Sequence, residues 1–385
     1  MAIIDTAVGN NGTANPILTN RIVVDMSDKI TLLKPREYPL NVMVRKLGKM
    51  PANQPKFEWM EDNLLGMWTA INNGAGYADD ATSIVVDDGS IIAVNDIIKN
   101  VATNEQLLVT AVSTNTLTVT RAYGETSAAA MTDNDKILVV GNAQMQGSGA
   151  SAEKNHQPTP VYNYTQIFKT PFSVTNTLEA TKLYGQSELA RLQAHKAIEH
   201  AQAIEHSFIF GERKLDNTGA QQKTVTGGVY TFLNGTAPTK AISKSTGTIA
   251  NLNDFMEDLF EYGSNTRTML CSASVIGWIN SLGTAKLELV QSDMDKTLGL
   301  DIVTWLSPFG RVNLIQHPLF RDGYTDFAIA LDMEDIKYRP LAGRDTTLKT
   351  NIQNNDEDGR RDMFITEAGL EIRHPEKHGI LTLTA

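Results

Sequence analysis

The stretch that decides the fold covers residues 163–213 and reads NYTQIFKTPFSVTNTLEATKLYGQSELARLQAHKAIEHAQAIEHSFIFGER. From residue 176 onward it predicts one long helix, because apolar residues recur at steps of four and three. The stripe consists of Ala190, Ala194, Ala197, Ala201, Ile204 and Phe208. Alanine dominates it, so we expect the neighbouring element to approach closely. A helix over 176–213 would be roughly 50 Å long, about three times the usual length, which indicates that it lies across a broad sheet or between subunits.

The segment before this stretch, from Thr82 to Asn142, is rich in short β-forming runs. These runs are Ile84–Val86, Ile91–Val94, Ile97–Ile98, Gln106–Val112, Thr116–Thr120 and Lys136–Val140. Leu117 and Val119 alternate with threonines, which is the period of a half-buried strand. Turn-forming residues flank the module at 72–77 and at 141–151. We therefore predict a small antiparallel barrel or sandwich that is inserted into another domain.

The first 50 residues contain few core-forming runs. A short segment extends from Met26 to Leu33, and Pro35, Pro39 and Pro51 interrupt any longer element. Two interpretations remain open. The segment is either an arm that packs on another molecule or a frayed terminus with one short helix.

The remainder of the chain mixes helices and strands. Residues Asn251–Tyr262 and Ser272–Ser281 carry apolar side chains at helical spacing. Strands are predicted at Thr268–Cys271, Val312–Ile315, Phe327–Leu331, Asp362–Ile365 and Leu370–Ile372. Together with the long helix, these elements predict an α+β fold.

Composition excludes several classes of protein. The chain has 385 residues, with 34 Lys plus Arg and 44 Asp plus Glu, so its net charge is 34 − 44 = −10. That sign argues against a protein whose main task is to grip phosphate backbones. No segment reaches the ~20 apolar residues of a membrane helix, so no membrane partner is expected. A single cysteine, Cys271, and an N-terminus without a signal-peptide pattern predict a protein made and kept in a reducing cytoplasm.

The sequence offers little support for catalysis. His195, Glu199, Gln202 and His206 share one face of the predicted helix. The two histidines are three turns apart, roughly 16 Å, so they cannot bind one metal ion. The chain has no HExxH, GxSxG, GxGxxG or phosphate-binding loop motif, and Cys271 lies in an apolar run. We therefore predict no catalytic, cofactor-binding or metal site. A metalloenzyme built on this helix is kept as an alternative.

Several segments resemble, in order and spacing, a family of tailed-bacteriophage major head proteins. The resemblance begins with Asn163–Phe168, Phe172–Val174 and the long helix that follows. The other matching segments are Pro39–Leu40, Phe57–Trp59 with Asp62, the strand-rich insertion up to Arg121, Thr226–Gly228, Leu370–Arg373 and His378–Gly379. Together they extend from about residue 24 to residue 383.

The resemblance implies an α+β fold of the Hong Kong type, which tailed phages share with herpesviruses and encapsulins. Residues 1–50 would form an N-terminal arm, and 51–162 an extended loop carrying the inserted β domain at about 81–145. Residues 163–239 would form the peripheral domain, with a spine helix at 175–213. Residues 240–340 would form the axial domain, and 341–385 would return to the peripheral sheet.

The resemblance also implies a structural protein of the virion capsid and not an enzyme. Copies would assemble in the host bacterial cytoplasm, as hexamers and pentamers, into an icosahedral head that encloses double-stranded DNA without sequence-specific binding. Scaffold, portal and decoration proteins are further partners to expect. An encapsulin-like nanocompartment is the alternative.

Aromatic side chains on the extended loop are the predicted contacts between subunits, because aromatics dominate interface energetics. These are Phe57, Trp59 and Trp68. The alternative for Phe57 and Trp59 is that they lie in a small core of the loop itself.

Overall fold

The structure is a computed structural model that describes residues 38–149, 153–154, 157–183, 187–282, 287–288 and 302–385. The helices are α1 Pro39–Leu47, α2 Asn176–Ala180, α3 Glu188–Phe210, α4 Val229–Leu233, α5 Ile249–Leu259 and α6 Ala273–Leu282. The first eight strands are β1 Lys56–Glu61, β2 Trp68–Ala70, β3 Ser83–Val85, β4 Asp96–Asn100, β5 Gln106–Ser113, β6 Thr116–Thr120, β7 Lys136–Asn142 and β8 Thr159–Tyr164. The next seven are β9 Gln166–Thr175, β10 Lys214–Asp216, β11 Lys223–Val225, β12 Thr239–Ser243, β13 Thr266–Cys271, β14 Leu287–Glu288 and β15 Ile302–Leu306. The last six are β16 Arg311–Gln316, β17 Phe327–Leu331, β18 Ile336–Pro340, β19 Thr347–Lys349, β20 Gly359–Ile372 and β21 Gly379–Thr384. The predicted α+β class is confirmed.

The chain divides into two compact units. Unit 1 consists of Met1–Phe57 and Asn163–Ala385, and unit 2 is Glu58–Tyr162. The chain leaves unit 1 within β1 and returns within β8, and these two strands pair with each other. Of the predicted arm, residues 1–37, which include Met26–Leu33, lie outside the described residues.

Unit 2 contains a six-stranded antiparallel sheet in the order β2-β7-β4-β5-β6-β3. Its first and last strands also meet, because Ile71 forms a bridge with Val86 and the amide of Asp87 donates to the carbonyl of Ala70 at 2.9 Å. The sheet therefore closes into a small barrel. Its interior holds Ile71, Ile84, Val86, Ile98, Leu107, Val109, Leu117, Val119, Met131 and Ile137.

Two features of unit 2 differ from the sequence-based expectation. The sheet includes Trp68–Ala70, before the predicted start of the inserted domain near residue 81. The prediction of a strand at Ile91–Val94 is wrong, because these residues form a turn before β4. The amide of Ala93 donates to Asp96 at 2.7 Å, and Asn95 adopts φ 70°. Ile91 and Ile92 are nevertheless buried. The turn therefore contributes apolar side chains to the barrel core, which is why its sequence looks like that of a strand.

Unit 1 contains two larger sheets. The first has seven strands in the order β12-β21-β17-β13-β16-β15-β14, with parallel pairing of β12 with β21 and of β13 with β16. In the second, β20 is central, with β9 along one edge and β18 and β19 along the other. Pro171, which has no amide hydrogen, is tolerated in β9 because β9 is an edge strand of this sheet.

The long helix is shorter than predicted. Helix α2 begins after Thr175, whose hydroxyl accepts from the amide of Leu178, and ends at Ala180. Thr181 is extended, with φ −82° and ψ 138°, and α3 begins only at Glu188. Helix α3 is therefore 23 residues long, which corresponds to about 35 Å instead of about 50 Å.

The core of unit 1 lies on both faces of the seven-stranded sheet and on one face of the β20 sheet. Side chains of α1 and of the second half of α3 pack against β18 and β20; they are Leu40, Met43, Val44, Ile204, Phe208, Tyr338, Leu370 and Ile372. A second cluster joins α5 and α6 to the seven-stranded sheet and includes Leu252, Phe255, Met256, Val275, Ile279, Met269 and Leu314. In the apolar stripe of α3, Ile204 and Phe208 are buried, whereas Ala190, Ala194 and Ala197 are exposed in the isolated chain.

Candidate functional site

Phe57 packs within unit 1. Its side chain is 5% exposed, and the guanidinium of Arg339 lies 5.2 Å from the centre of its ring. The ring also occupies the space next to Gly369, where an added Cβ would lie 2.8 Å from a ring carbon. Glycine at position 369 thus permits the close approach of Phe57 to the sheet.

Trp59 is also covered by the chain itself. It is 7% exposed, and its indole nitrogen donates to Oε1 of Glu61 at 2.7 Å. Trp59 and Glu61 are two residues apart in β1 and therefore share a face of the strand. Neither Phe57 nor Trp59 presents an open apolar surface in the isolated chain.

Trp68 is different, because 58% of it is exposed at the start of β2. It lines a shallow groove of about 450 Å³ together with Thr69, Ala70, Asp87, Asp88 and Lys136. The pairing of Trp68 with Leu138 and of Ala70 with Lys136 fixes the backbone beside this groove. Of the three predicted contact residues, Trp68 is the one whose side chain faces solvent.

Three further apolar side chains near Trp68 are exposed. Met60 is 69% exposed, Leu64 98% and Met67 65%. We call residues 60–68 the apolar segment. Exposed hydrophobic residues are ordinary when they are scattered singly, whereas these four lie within nine residues of the sequence. Met60, Leu64 and Met67 are not among the predicted contacts, because residue type alone does not indicate which side chains the fold leaves exposed.

A buried ion pair, between Arg121 and Glu105, stabilises the barrel of unit 2. Arg121 donates two hydrogen bonds to Glu105, at 2.8 and 2.7 Å, and also donates to the carbonyl groups of Ala78, Ala81 and Ala129. Burial acts to raise the pKa of the Glu105 carboxyl. The hydrogen bonds that it receives from Arg121 and from backbone amides outweigh burial, so the pKa lies below its usual value. The barrel thus holds a charged pair that links its strands to the preceding loop.

A second polar cluster ties α1 to α3. Glu205 is 1% exposed, and its carboxylate accepts from the amides of Leu40 and Asn41 at 2.8 and 2.6 Å. It also bonds to Nε2 of His317 at 2.7 Å. Since the amide of Leu319 donates to Nδ1 of the same ring, Nε2 carries the proton and donates to Glu205. No side chain within α1 caps its first turn, so Glu205 performs that role from α3.

The polar face of α3 does not assemble a catalytic site. His200 is buried, with Thr170 at Nδ1 (2.9 Å) and Thr366 at Nε2 (2.8 Å), whereas His206 is exposed. Within the described ranges, no three His, Cys, Asp or Glu side chains are arranged to hold a metal ion. Burial raises the pKa of the Cys271 thiol well above its usual value, which disfavours the reactive thiolate.

Comparisons with known proteins place this geometry in context. The model of a family described as SU10 major capsid protein matches residues 5–385. A protein of Pseudomonas phage PaMx41 named major capsid protein is 26% identical over 369 residues, which cover 89% of this chain and 88% of that protein.

Solved structures that resemble the chain have low sequence identity to it. The capsid of Myoviridae phage XM1 is 10% identical, with a TM-score of 0.47, and covers 97% of this chain and 100% of the other. A chain of Mycobacterium phage Bobi is 7% identical, with a TM-score of 0.49 and coverages of 95% and 97%. No helix in the described part of the chain is long and apolar enough to cross a membrane.

Proposed function

The chain belongs to the SU10 major capsid protein family and is the major capsid protein of a tailed phage. From this identification we propose how it builds the virion capsid. Copies assemble as hexamers and pentamers into an icosahedral head of the Hong Kong type that encloses double-stranded DNA. The exposed apolar segment is the observation that carries this proposal, since a protein that functions alone in water would not leave it uncovered.

Within this proposal, the apolar segment binds a neighbouring copy. Trp68 anchors the contact, and Leu64, Met67 and Met60 surround it. Aromatic side chains next to such flexible apolar ones are typical of the centre of an interface. We assign Phe57 and Trp59 the task of fixing the start of the segment, because both are buried by the chain itself.

The proposed roles of the chain segments follow the resemblance. Residues 1–50 act as the arm, and 51–162 as the extended loop with its inserted β domain. Residues 163–239 and 341–385 form the peripheral domain, and 240–340 the axial domain. Because the carboxylate of Glu205 caps α1, the described end of the proposed arm, which α1 forms, is held against α3.

The charge of the chain supports the proposed relation to DNA. A net charge of −10 repeated around a shell disfavours tight binding of packaged DNA, which must enter and leave. Scaffold, portal and decoration proteins are further proposed partners. The chain acts as a structural subunit and not as an enzyme.

Electron microscopy of the expressed protein tests the proposal. We expect closed hollow particles, and a protein that stays monomeric at high concentration would contradict it. The variant Leu64→Ala/Met67→Ala should lose particles yet unfold like the wild type, because both side chains are exposed. The matched control is Leu215→Ala/Ile352→Ala, which truncates two apolar side chains that are 38% and 37% exposed elsewhere and should still assemble.

A further inference from the structure

Among the described residues, no helix packs on one face of the β20 sheet. Helix α3 covers the face that carries Phe172, Phe364 and Thr366, as the hydrogen bond between His200 and Thr366 shows. Along each strand, the residues that immediately precede or follow these point to the opposite face of the sheet. On β9, β19 and β20 respectively, that opposite face presents Lys169, Lys349 and Arg361, all exposed. We call these three residues the basic sheet face.

The strand register places the three cations close together. Lys349 lies opposite Met363 on one side of β20, and Lys169 lies opposite Ile365 on the other. From standard strand dimensions, the Cα atoms of Lys349 and Arg361 are about 8 Å apart, and those of Lys349 and Lys169 about 12 Å. In the part of the chain that the structure describes, none of the three forms an ion pair, although Arg339, Arg344 and Arg360 near them do.

Helix α5 carries the opposite charge on its exposed side. Asp254, Glu257 and Asp258 follow one another at steps of three and one, so they lie on the same side of the helix. All three are exposed, and the opposite side of the helix is buried in the core. Lys240 contacts Asp254 at 3.8 Å, and the structure gives no other ion pair to these carboxylates among described residues. We call these three residues the acidic stripe.

We propose that the basic sheet face of one copy binds the acidic stripe on α5 of a neighbouring copy. This inference rests on the proposed self-assembly and specifies one of its contacts. A ring of identical subunits requires two different surfaces that complement each other, so that each copy contacts the next head to tail. The two surfaces have opposite charge, and each brings three charged side chains together, the carboxylates within about 6 Å along the helix.

A second copy explains these surfaces better than nucleic acid does. Three cations on a chain of net charge −10 form a small patch, whereas DNA-binding faces are broad and strongly basic. DNA is itself an anion and would not bind the acidic stripe. Binding between copies satisfies both surfaces at once.

Charge reversal tests the contact. The variants Lys169→Glu/Lys349→Glu and Glu257→Lys/Asp258→Lys each place like charges together, and each should raise the protein concentration needed for particle formation at least ~10-fold. The swapped variant, which carries all four substitutions, restores opposite charges and should assemble like the wild type. The control Lys214→Glu/Lys223→Glu makes the same charge change on the β10–β11 hairpin and should not affect assembly.

Chemical cross-linking provides an independent measurement. Copies with Lys349→Cys are mixed with copies with Glu257→Cys and treated with a short bis-maleimide. Because the native Cys271 is buried, a dimer reports on the two introduced thiols alone. We expect dimers in this mixture and none when Lys214→Cys replaces Lys349→Cys.

The outcomes are distinct. Normal assembly of Lys169→Glu/Lys349→Glu, or failure of the swapped variant to recover, would overturn the contact. If particles of the Lys169→Glu/Lys349→Glu variant formed normally but retained less DNA, the basic sheet face would be a binding surface for nucleic acid instead. If the wild type itself formed no particles, the proposed function would fail, and the cross-linking result would still decide whether this contact exists.

Discussion

Replacing Glu205 by alanine removes the carboxylate that joins three parts of unit 1. The amides of Leu40 and Asn41 at the start of α1 and Nε2 of His317 all donate to it. Glu205 and His317 are 1% and 2% exposed, so water cannot replace the lost acceptor without opening the core. The substitution therefore leaves up to three buried donors without a partner.

The expected cost follows from these contacts. Each buried donor left unsatisfied costs about 1–3 kcal/mol, and loss of a helix cap about 1 kcal/mol. Partial relaxation of α1 towards solvent reduces the sum, so we expect the free energy of unfolding to fall by about 3–5 kcal/mol. Glu205→Gln keeps the size and one acceptor oxygen, and its cost should be about half as large.

Urea unfolding and amide hydrogen exchange measure this effect. The unfolding midpoint should fall, and the amides of Leu40 and Asn41 should lose protection before those of the seven-stranded sheet. Glu199→Ala is the matched control on the same helix, because Glu199 is half exposed and pairs only with Lys196 across one turn; we expect a change within about 0.5 kcal/mol. A loss below ~1 kcal/mol in Glu205→Ala, with unchanged protection of α1, would refute the capping role.

Three further predictions concern other parts of the chain. Trp68→Ala should reduce particle yield strongly but leave the unfolding free energy within about 0.5 kcal/mol, since the side chain is largely exposed; sedimentation and urea unfolding check this. Arg121→Leu strands the buried Glu105 and should destabilise unit 2 by about 3–5 kcal/mol, seen as faster proteolysis within residues 58–162. Burial lowers the pKa of His378 to about 4. The unfolded chain therefore binds the additional proton below about pH 6.5, so stability should fall as pH drops from 6.5 to 4, by up to about 1.4 kcal/mol per pH unit, and His378→Gln should flatten this dependence.

Sequence patterns identified the helices and strands that are marked by the apolar pattern of their own residues. The strand at Phe327–Leu331 was predicted with the bounds that the structure has, because continuous apolar residues mark a fully buried strand. The second half of the long helix was also found, since Ile204 and Phe208 are the buried part of its stripe. The break before α3 was missed. It depends on the extended backbone of Thr181, which apolar periodicity does not report.

The surroundings of a side chain depend on distant contacts, which sequence patterns do not reveal. Phe57 was chosen for its residue type, but its surroundings are set by Gly369 and Arg339, which lie far away in the sequence. Leu64 was overlooked because exposure is a property of what the rest of the chain leaves uncovered. Glu205 carried no visible signal, since a carboxylate on a helix is ordinary until the fold brings α1 and His317 to it.

The position of β21 has a consequence for synthesis of the protein. Gly379–Thr384 lies inside the seven-stranded sheet, between β12, which precedes it by well over a hundred residues, and β17. The ribosome releases these residues after nearly everything else described, so β12 stays without its parallel partner until then. A chain whose translation stops early cannot complete this sheet. We expect such fragments to be recognised by proteases before they can join a growing shell, which gives the host cell's quality control a part in keeping the particle uniform.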